Sequence, residues 1–264
     1  MILNDNVNLD ELFDPLFESL SIEDWITVEN LRSTFVVKFQ KDLSQKPTMD
    51  VVDRTSALIS WSYIANQTAL RFIEFFRQIS EFENLDNADR LILVKYNVFP
   101  LYSIIKCFHF NRINSCCSDG SSEEAAKYQQ FFQLCFGADG MCDTFNNLIY
   151  SLVELTEQDP AILALLLTIL MFYEGLSIDD NQPLLKDSIA VNRAQSYYTT
   201  ILWKYMMSKW NEEETWKRFY RLLPIIFRIQ STSNCFREYF RTQIATSDAI
   251  HKLAPLMQTL LHVS

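Results

Sequence analysis

Apolar side chains recur three and four positions apart in one segment of this chain after another, the spacing of a helix with one buried face. Residues 1–20 alternate acids with Leu9, Leu12, Phe13, Leu16 and Phe17, the pattern of a weakly ordered acidic arm or of a short amphipathic turn docked on the body. Ser21 followed by Asp24 has the form of a capping box, and Trp25, Val28, Leu31, Phe35 and Phe39 then recur at helical spacing up to Pro47. They predict a first helix of about six turns. Residues 51–80 lack Gly and Pro and carry the stripe Leu58, Ala65, Ala69, Phe72, Phe76 and Ile79, which predicts a long central helix. Asp86 and Asp89 repeat the capping pattern before Leu91, Leu93 and Val94, and apolar character continues to Phe110 across Pro100, which is expected to kink or divide the helix.

Residues 111–124 are the most polar and turn-rich stretch and predict a loop or small hairpin. Helical character returns near Ala125, breaks from Gly137 to Gly140 and resumes over 144–155. Asp159 and Pro160 then open an apolar run that ends at Gly175; it is hydrophobic all round and belongs in the middle of the fold. A loop over 176–186, an amphipathic helix over 188–210, a long helix over 213–244 containing Pro224 and a short terminal helix over 254–263 complete the pattern. The sum is nine to eleven helices in one layered all-α domain spanning 21–264, with no internal repeat.

Composition narrows the chemistry. With 4 Gly in 264 residues, few turns needing positive φ are expected, and the glycines never assemble into GxGxxG or GxxxxGK[ST]. Rossmann and P-loop enzymes are excluded. A net charge of −10 disfavours binding to a phosphate backbone, so this chain is not expected to contact nucleic acid. The 6 cysteines form no CxxC pair and read as reduced thiols of an intracellular protein. No basic leader precedes an apolar core, and the apolar run 161–173 falls short of the ~20 residues of a membrane span, so no membrane association is expected. His109, His251 and His262 are the 3 histidines; no HExxH, ExxH or GxSxG occurs, and Cys107 and His109 lie two apart on diverging helix faces. No catalytic group, metal or cofactor is expected.

The segment 75–95 (FFRQISEFENLDNADRLILVK) resembles the signature of nuclear-receptor ligand-binding domains. Phe75, Arg77, Ile79 and Phe82 match its first part, and Asp89, Leu91, Leu93 and Lys95 its second, with Arg90 where the family has Gln. Further matches follow in order: Asp159 with AILALLLTILMF resembles the buried eighth helix, Gln195 and Tyr198 suit the ninth, residues 218–240 resemble the tenth and eleventh, and PLMQTLL resembles the activation helix. The resemblance spans about 21–261 and implies a three-layer antiparallel helical sandwich.

It also implies three surfaces. A groove for LxxLL-type coactivator or corepressor helices would have Arg77 as basic clamp, Lys95 as a second rim cation, and Leu91 and Val94 as walls. The terminal helix would close it with Leu256, Met257, Thr259 and Leu260, but Thr259 stands where the family carries Glu. A charged hydrogen bond worth about 1.5 to 3 kcal/mol falls nearer ~1 with a hydroxyl. The bland alternative is that Arg77 and Lys95 are solvated helix ends. A pocket for a small lipophilic ligand, a fatty acid, sterol or similar, would be walled by Trp61, Ile64, Ala65, Thr68 and Phe72, by Tyr102, Ile105, Lys106 and His109, and by Cys235 and Tyr239. The 36 aromatics either line that pocket or fill it. Arg218, Arg221, Ile225 and Arg228 would form a surface for a homodimer, or for a heterodimer with a retinoid X receptor-like partner. The resemblance implies a transcription regulator of the nucleus, or of nucleus and cytoplasm, and no DNA-binding array of zinc-ligating cysteines lies in these residues. A ligand-independent helical scaffold is the alternative.

Overall fold

The computed structural model describes residues 20–40, 49–110, 122–136, 141–174 and 183–263. The expected acidic arm, the Gly137 to Gly140 break and most of the 111–124 and 176–186 loops lie outside them. Among the described residues there are ten α-helices, one 3-10 turn and no strand. They are α1 (Ile22–Phe39), α2 (Arg54–Phe76), α3 (Ser80–Glu83), α4 (Asn87–Phe108), α5 (Ser122–Phe136), α6 (Met141–Thr156), α7 (Pro160–Met171), α8 (Ser188–Lys209), α9 (Glu212–Thr246) and α10 (Pro255–Leu260), with the 3-10 turn at Ile250–Lys252.

Local sequence accounts for the boundaries. At α1 the Ser21 hydroxyl accepts from the Asp24 N–H at 3.0 Å while the Asp24 carboxylate accepts from the Ser21 N–H at 3.2 Å, a reciprocal capping box. The helix ends at Phe39, short of the expected Pro47, and α2 ends at Phe76 with α3 as a separate turn. Pro100 does not divide α4, which runs unbroken through 22 residues. Pro100 is itself buried within the helix, where burial offsets the lost backbone hydrogen bond.

The centre is α7. Every residue from Ala161 to Thr168 is buried, and α1, α4 and α8 all pack against it. Helix α4 also packs against α2, α6, α9 and α10, and so joins the central helix to the rest of the sandwich. Rings join α1 to α2 in antiparallel sense: Phe35 meets Phe75 at 6.3 Å and Phe39 meets Phe72 at 5.3 Å. By length and composition α4 could cross a membrane, contrary to the expectation that no segment would, yet 56% of its apolar window is buried within the domain. It serves as a core helix.

Polar side chains at helix ends join neighbouring elements. Asp159 accepts from the N–H groups of Ala161 (2.8 Å) and Ile162 (3.4 Å) at the start of α7, and from Lys209 Nζ (2.6 Å) and the Tyr205 hydroxyl (3.2 Å) on α8. Burial and then the Asp159 charge push the Tyr205 phenol up to about 12. Asp89, fully buried, accepts from the N–H groups of Lys186 (2.9 Å) and Asp187 (3.0 Å) and so fixes the approach to α8.

Glycine scarcity does not remove positive φ from this fold. Glu157, Gln158, Asp248 and His262 adopt φ between 51° and 57°. After α9, the Asp248 N–H donates to Ala245 O and the Ala249 N–H to Ile244 O, a Schellman closure with an aspartate in the glycine position. His262 plays the same part after α10, where the Val263 N–H reaches Gln258 O at 3.0 Å. Asp is among the residues best able to stand there, since its short polar side chain tolerates the left-handed region. Asp248→Gly is therefore expected to change unfolding stability by less than about 1 kcal/mol, and Asp248→Val to lower it by roughly 1–2 kcal/mol, in urea titrations.

Candidate functional site

The signature segment closes α2 and opens α4. Arg77 is the C-cap of α2, its side chain 64% exposed and 3.8 Å from Glu83, whose carboxylate lies nearer Arg90 at 2.7 Å. Arg90, at the family's Gln position, also donates to the Asn87 side chain. Leu91 is 55% exposed, Val94 is buried beneath it, and the Lys95 ammonium lies 5.8 Å from the Tyr96 ring centre. The signature Asp89 touches none of this surface; it is the buried acceptor for the α8 approach.

Two further apolar residues near the end of α2 were not in the sequence-derived set. Leu70, 42% exposed, and half-buried Ile73 share a helix face with Arg77 at positions i, i+3 and i+7. That spacing was present in the sequence, but the single buried stripe of α2 masked it. Helices α2 and α4 pack together, and α10 packs against both.

The terminal helix holds itself in place. Met257, Leu260 and Leu261 are fully buried, so Met257 and Leu260 anchor α10 to the body instead of offering free groove surface; Leu256 is partly buried against the core. Gln258 donates to Ile250 O (3.2 Å) and Leu253 O (3.0 Å), locking α10 onto the preceding 3-10 turn. The Thr259 hydroxyl donates to Pro255 O at 3.1 Å, within its own helix. Edge-on contact of the His262 and Tyr96 rings at 4.9 Å places the end of α10 beside the Lys95 turn of α4.

Rings from four helices converge where the pocket was expected. Trp61 on α2 has ring neighbours Phe99 (6.3 Å) and Tyr102 (6.0 Å) on α4, Phe131 (6.3 Å) on α5, and Phe236 and Phe240 (both 4.9 Å) on α9. Phe72 meets Tyr102 at 5.4 Å, and the Tyr102 hydroxyl donates to Ala65 O at 2.7 Å. Burial pushes the Tyr102 phenol well above its ordinary range, keeping it a neutral donor. Of the remaining expected wall, Thr68 donates to Ile64 O within α2, Ile105 and Tyr239 pack partly buried on the core, Lys106 and His109 are half-buried at the end of α4, and Cys235 is exposed and faces away from the interior. Trp61, Ala65, Phe72 and Tyr102 are thus brought together around Tyr102, which touches both other rings and hydrogen-bonds Ala65 O.

On α9 the expected dimer residues divide. Arg218 is turned inward: it donates to Glu214 (2.6 Å) and Leu155 O (3.0 Å), pairs with Glu157 (3.0 Å) and stacks on Trp210 at 4.2 Å. Ile225 is buried. Both are thus taken up within the domain, Arg218 through its bonds to the end of α6, and neither offers free surface. Arg221 and Arg228 are exposed, and beside them Trp216, Tyr220, Leu223 and Phe227 form an exposed stripe at helical spacing. Alternation of these aromatics with buried Leu222 and Ile225 marks the two faces.

A sequence model of the ligand-binding domain of nuclear hormone receptors matches residues 54–242 of this chain. The chain belongs to that family of helical regulatory domains. The match covers α2 through most of α9; α1 and α10 lie outside it. Comparison with curated proteins gives no match. Domains of this family are typically not enzymes; they generally bind lipophilic ligands and coregulators, dimerise, and belong to nuclear transcription factors. Among the described residues no cluster of three His, Cys, Asp or Glu is placed to hold a metal.

The ring cluster generates a prediction. Trp61→Ala should cost about 3 kcal/mol, the low end for such truncations because Trp61 is only partly buried. The cavity it leaves should accept a small aromatic probe such as indole, read as a rise in melting temperature that wild type does not show.

Proposed function

We propose that this domain regulates transcription by docking coregulator helices on the strip formed by Leu70, Ile73 and Leu91, and that its interior rings stand in for a lipophilic ligand. The observation that carries the proposal is the pairing of two unequal surfaces. Leu70 is exposed and Ile73 half-buried on α2, which ends at Arg77, and Leu91 is exposed on α4 one turn before Lys95, while the region between α2, α4, α5 and α9 is packed ring against ring. A peptide helix laid on the strip would bury its leucines against Leu91 and Ile73, and its last carbonyls would meet Arg77 or Lys95.

The missing carboxylate of α10 sets the strength of that docking. Thr259 spends its hydroxyl on Pro255 O, so the N–H groups at the peptide's other end meet no charge from α10. Recruitment is weaker than with a two-ended clamp. The exposed α9 stripe of Trp216, Tyr220, Leu223 and Phe227 supports pairing with a second receptor domain through that face.

Fluorescence anisotropy with a labelled LxxLL peptide tests the groove. Wild type should bind, Leu91→Arg should abolish binding, and Thr259→Glu should tighten it by about 2- to 30-fold, the ratio for ~0.5 to 2 kcal/mol gained by a charged acceptor. Equal affinity in all three proteins would sink the reading. For the second surface, Tyr220→Asp with Phe227→Asp should abolish any dimer seen by sedimentation, alone or mixed with a retinoid X receptor domain, without lowering the melting temperature.

A further inference from the structure

Helix α9 turns a narrow apolar seam outward. Trp216, Tyr220, Leu223 and Phe227 are exposed and stand four, three and four positions apart, the alternation with which a helix of a coiled pair presents its anchors. The seam covers three turns, about 16 Å along the axis. Trp and Tyr are among the side chains that contribute most where two proteins meet.

The two edges of the seam differ in charge. Lys217, Pro224 and Ser231 line one edge, with Arg221 and Arg228 just outside them, and all five are exposed. The other edge carries Glu212, exposed, and then Phe219 and Ile226, partly buried against the core. Glu213 and Glu214 bind Lys217 and Arg218 of their own helix, each at 2.6 Å, whereas Glu212 has no ion-pair partner among the described residues. Lys217 keeps donors for a second carboxylate, since an ammonium group has three.

These edges discriminate between the ways in which two such seams can pair. An antiparallel match of all four anchors sets Trp216 against Phe227 of a second copy and lays the row Lys217, Arg221 and Arg228 along the same row of that copy, cation on cation. A parallel match sets each anchor against its own counterpart about a two-fold axis running along α9, and each edge then meets the opposite edge of the other copy. Glu212 of one copy meets Lys217 of the other, twice by symmetry, and Phe219 meets Pro224. We infer that α9 pairs in parallel with α9 of a second copy of this chain, and that Glu212 against Lys217 selects both that orientation and the self-partner. This rests on the α9 face proposed above as a pairing surface.

Sedimentation and crosslinking of the full chain test the inference. Wild type should dimerise. Glu212→Lys and Lys217→Glu should each self-associate about tenfold more weakly, and their equimolar mixture should recover wild-type affinity, because mixing restores both pairs. Both positions are exposed, so the melting temperatures should stay at the wild-type value. In a Phe227→Cys variant a short bismaleimide should join the two copies at position 227, which antiparallel pairing would hold about 16 Å apart. Equal self-association of all these proteins, no recovery in the mixture, or no crosslink at position 227 overturns the inference. A wild type that stays monomeric alone yet pairs with a retinoid X receptor domain, and loses that pairing with Tyr220→Asp and Phe227→Asp, overturns it and leaves the face as a surface for a different receptor. No association of either kind removes both.

Discussion

Helix α7 is apolar around its whole circumference, and burying it is the constraint from which the rest of the architecture follows. A helix with one apolar stripe needs one neighbour; one without a polar face must be surrounded. Helices α1, α4 and α8 supply that enclosure, and their own second faces then require α2, α6 and α9. Enclosure also takes the helix ends out of water, where each leaves orphan backbone groups. Asp159 meets the first N–H groups, and Asn97 on α4 donates to Met171 O (2.8 Å) and Tyr173 O (2.9 Å) at the other end. Even Thr168, the polar residue in mid-run, turns its hydroxyl to Ala164 O at 2.9 Å.

The same economy of groups makes helix termini the joints of this domain. Asp159 caps α7 and holds two side chains of α8; Asp89 sits in α4 and serves the start of α8; Gln158 reaches back to Cys107 O and Phe110 O, both at 2.9 Å, at the end of α4. Surface caps work alongside them. The Asp53 and Asp86 carboxyls are held below their usual range, chiefly by the Ser56 and Ala88 N–H groups. A carboxyl whose folded value is depressed contributes stability above its unfolded value and loses it as pH falls through the folded one, so the starts of α2 and α4 loosen in acid. Arg77 and Leu91 lie just outside this lattice of caps, at the break between α2 and α4, which is why they remain exposed while neighbours in the same signature are buried.

Most of the helices were legible from spacing and capping residues, because local chemistry sets their starts: Ser21 marks that of α1, Asp86 that of α4, and Asp159 with Pro160 that of α7. Ends were less legible. Those of α1 and α2 depend on where packing stops, and Asp248 and His262 close α9 and α10 in a conformation that sequence reading reserves for glycine. For the site, Arg77, Leu91 and Lys95 were readable as positions in a motif, whereas Leu70 and Ile73 were not, since exposure of a leucine on an amphipathic helix is decided by the helix packed beside it. Arg218 shows the converse: a basic residue on a long amphipathic helix reads as surface, and only the arrival of Glu157, Glu214 and Trp210 turns it inward.

The interior and the terminal helix point to one physical consequence. Met257, Leu260 and Leu261 are sealed, Gln258 bridges to two carbonyls, and Trp61 and Phe240 meet ring against ring at 4.9 Å in the interior. Burial of those three side chains, each worth about 1.5–3 kcal/mol, fastens the terminal helix to the body. The fold leaves apolar surface elsewhere: Leu70 on α2 and Leu91 on α4 stay exposed while the terminal helix is sealed.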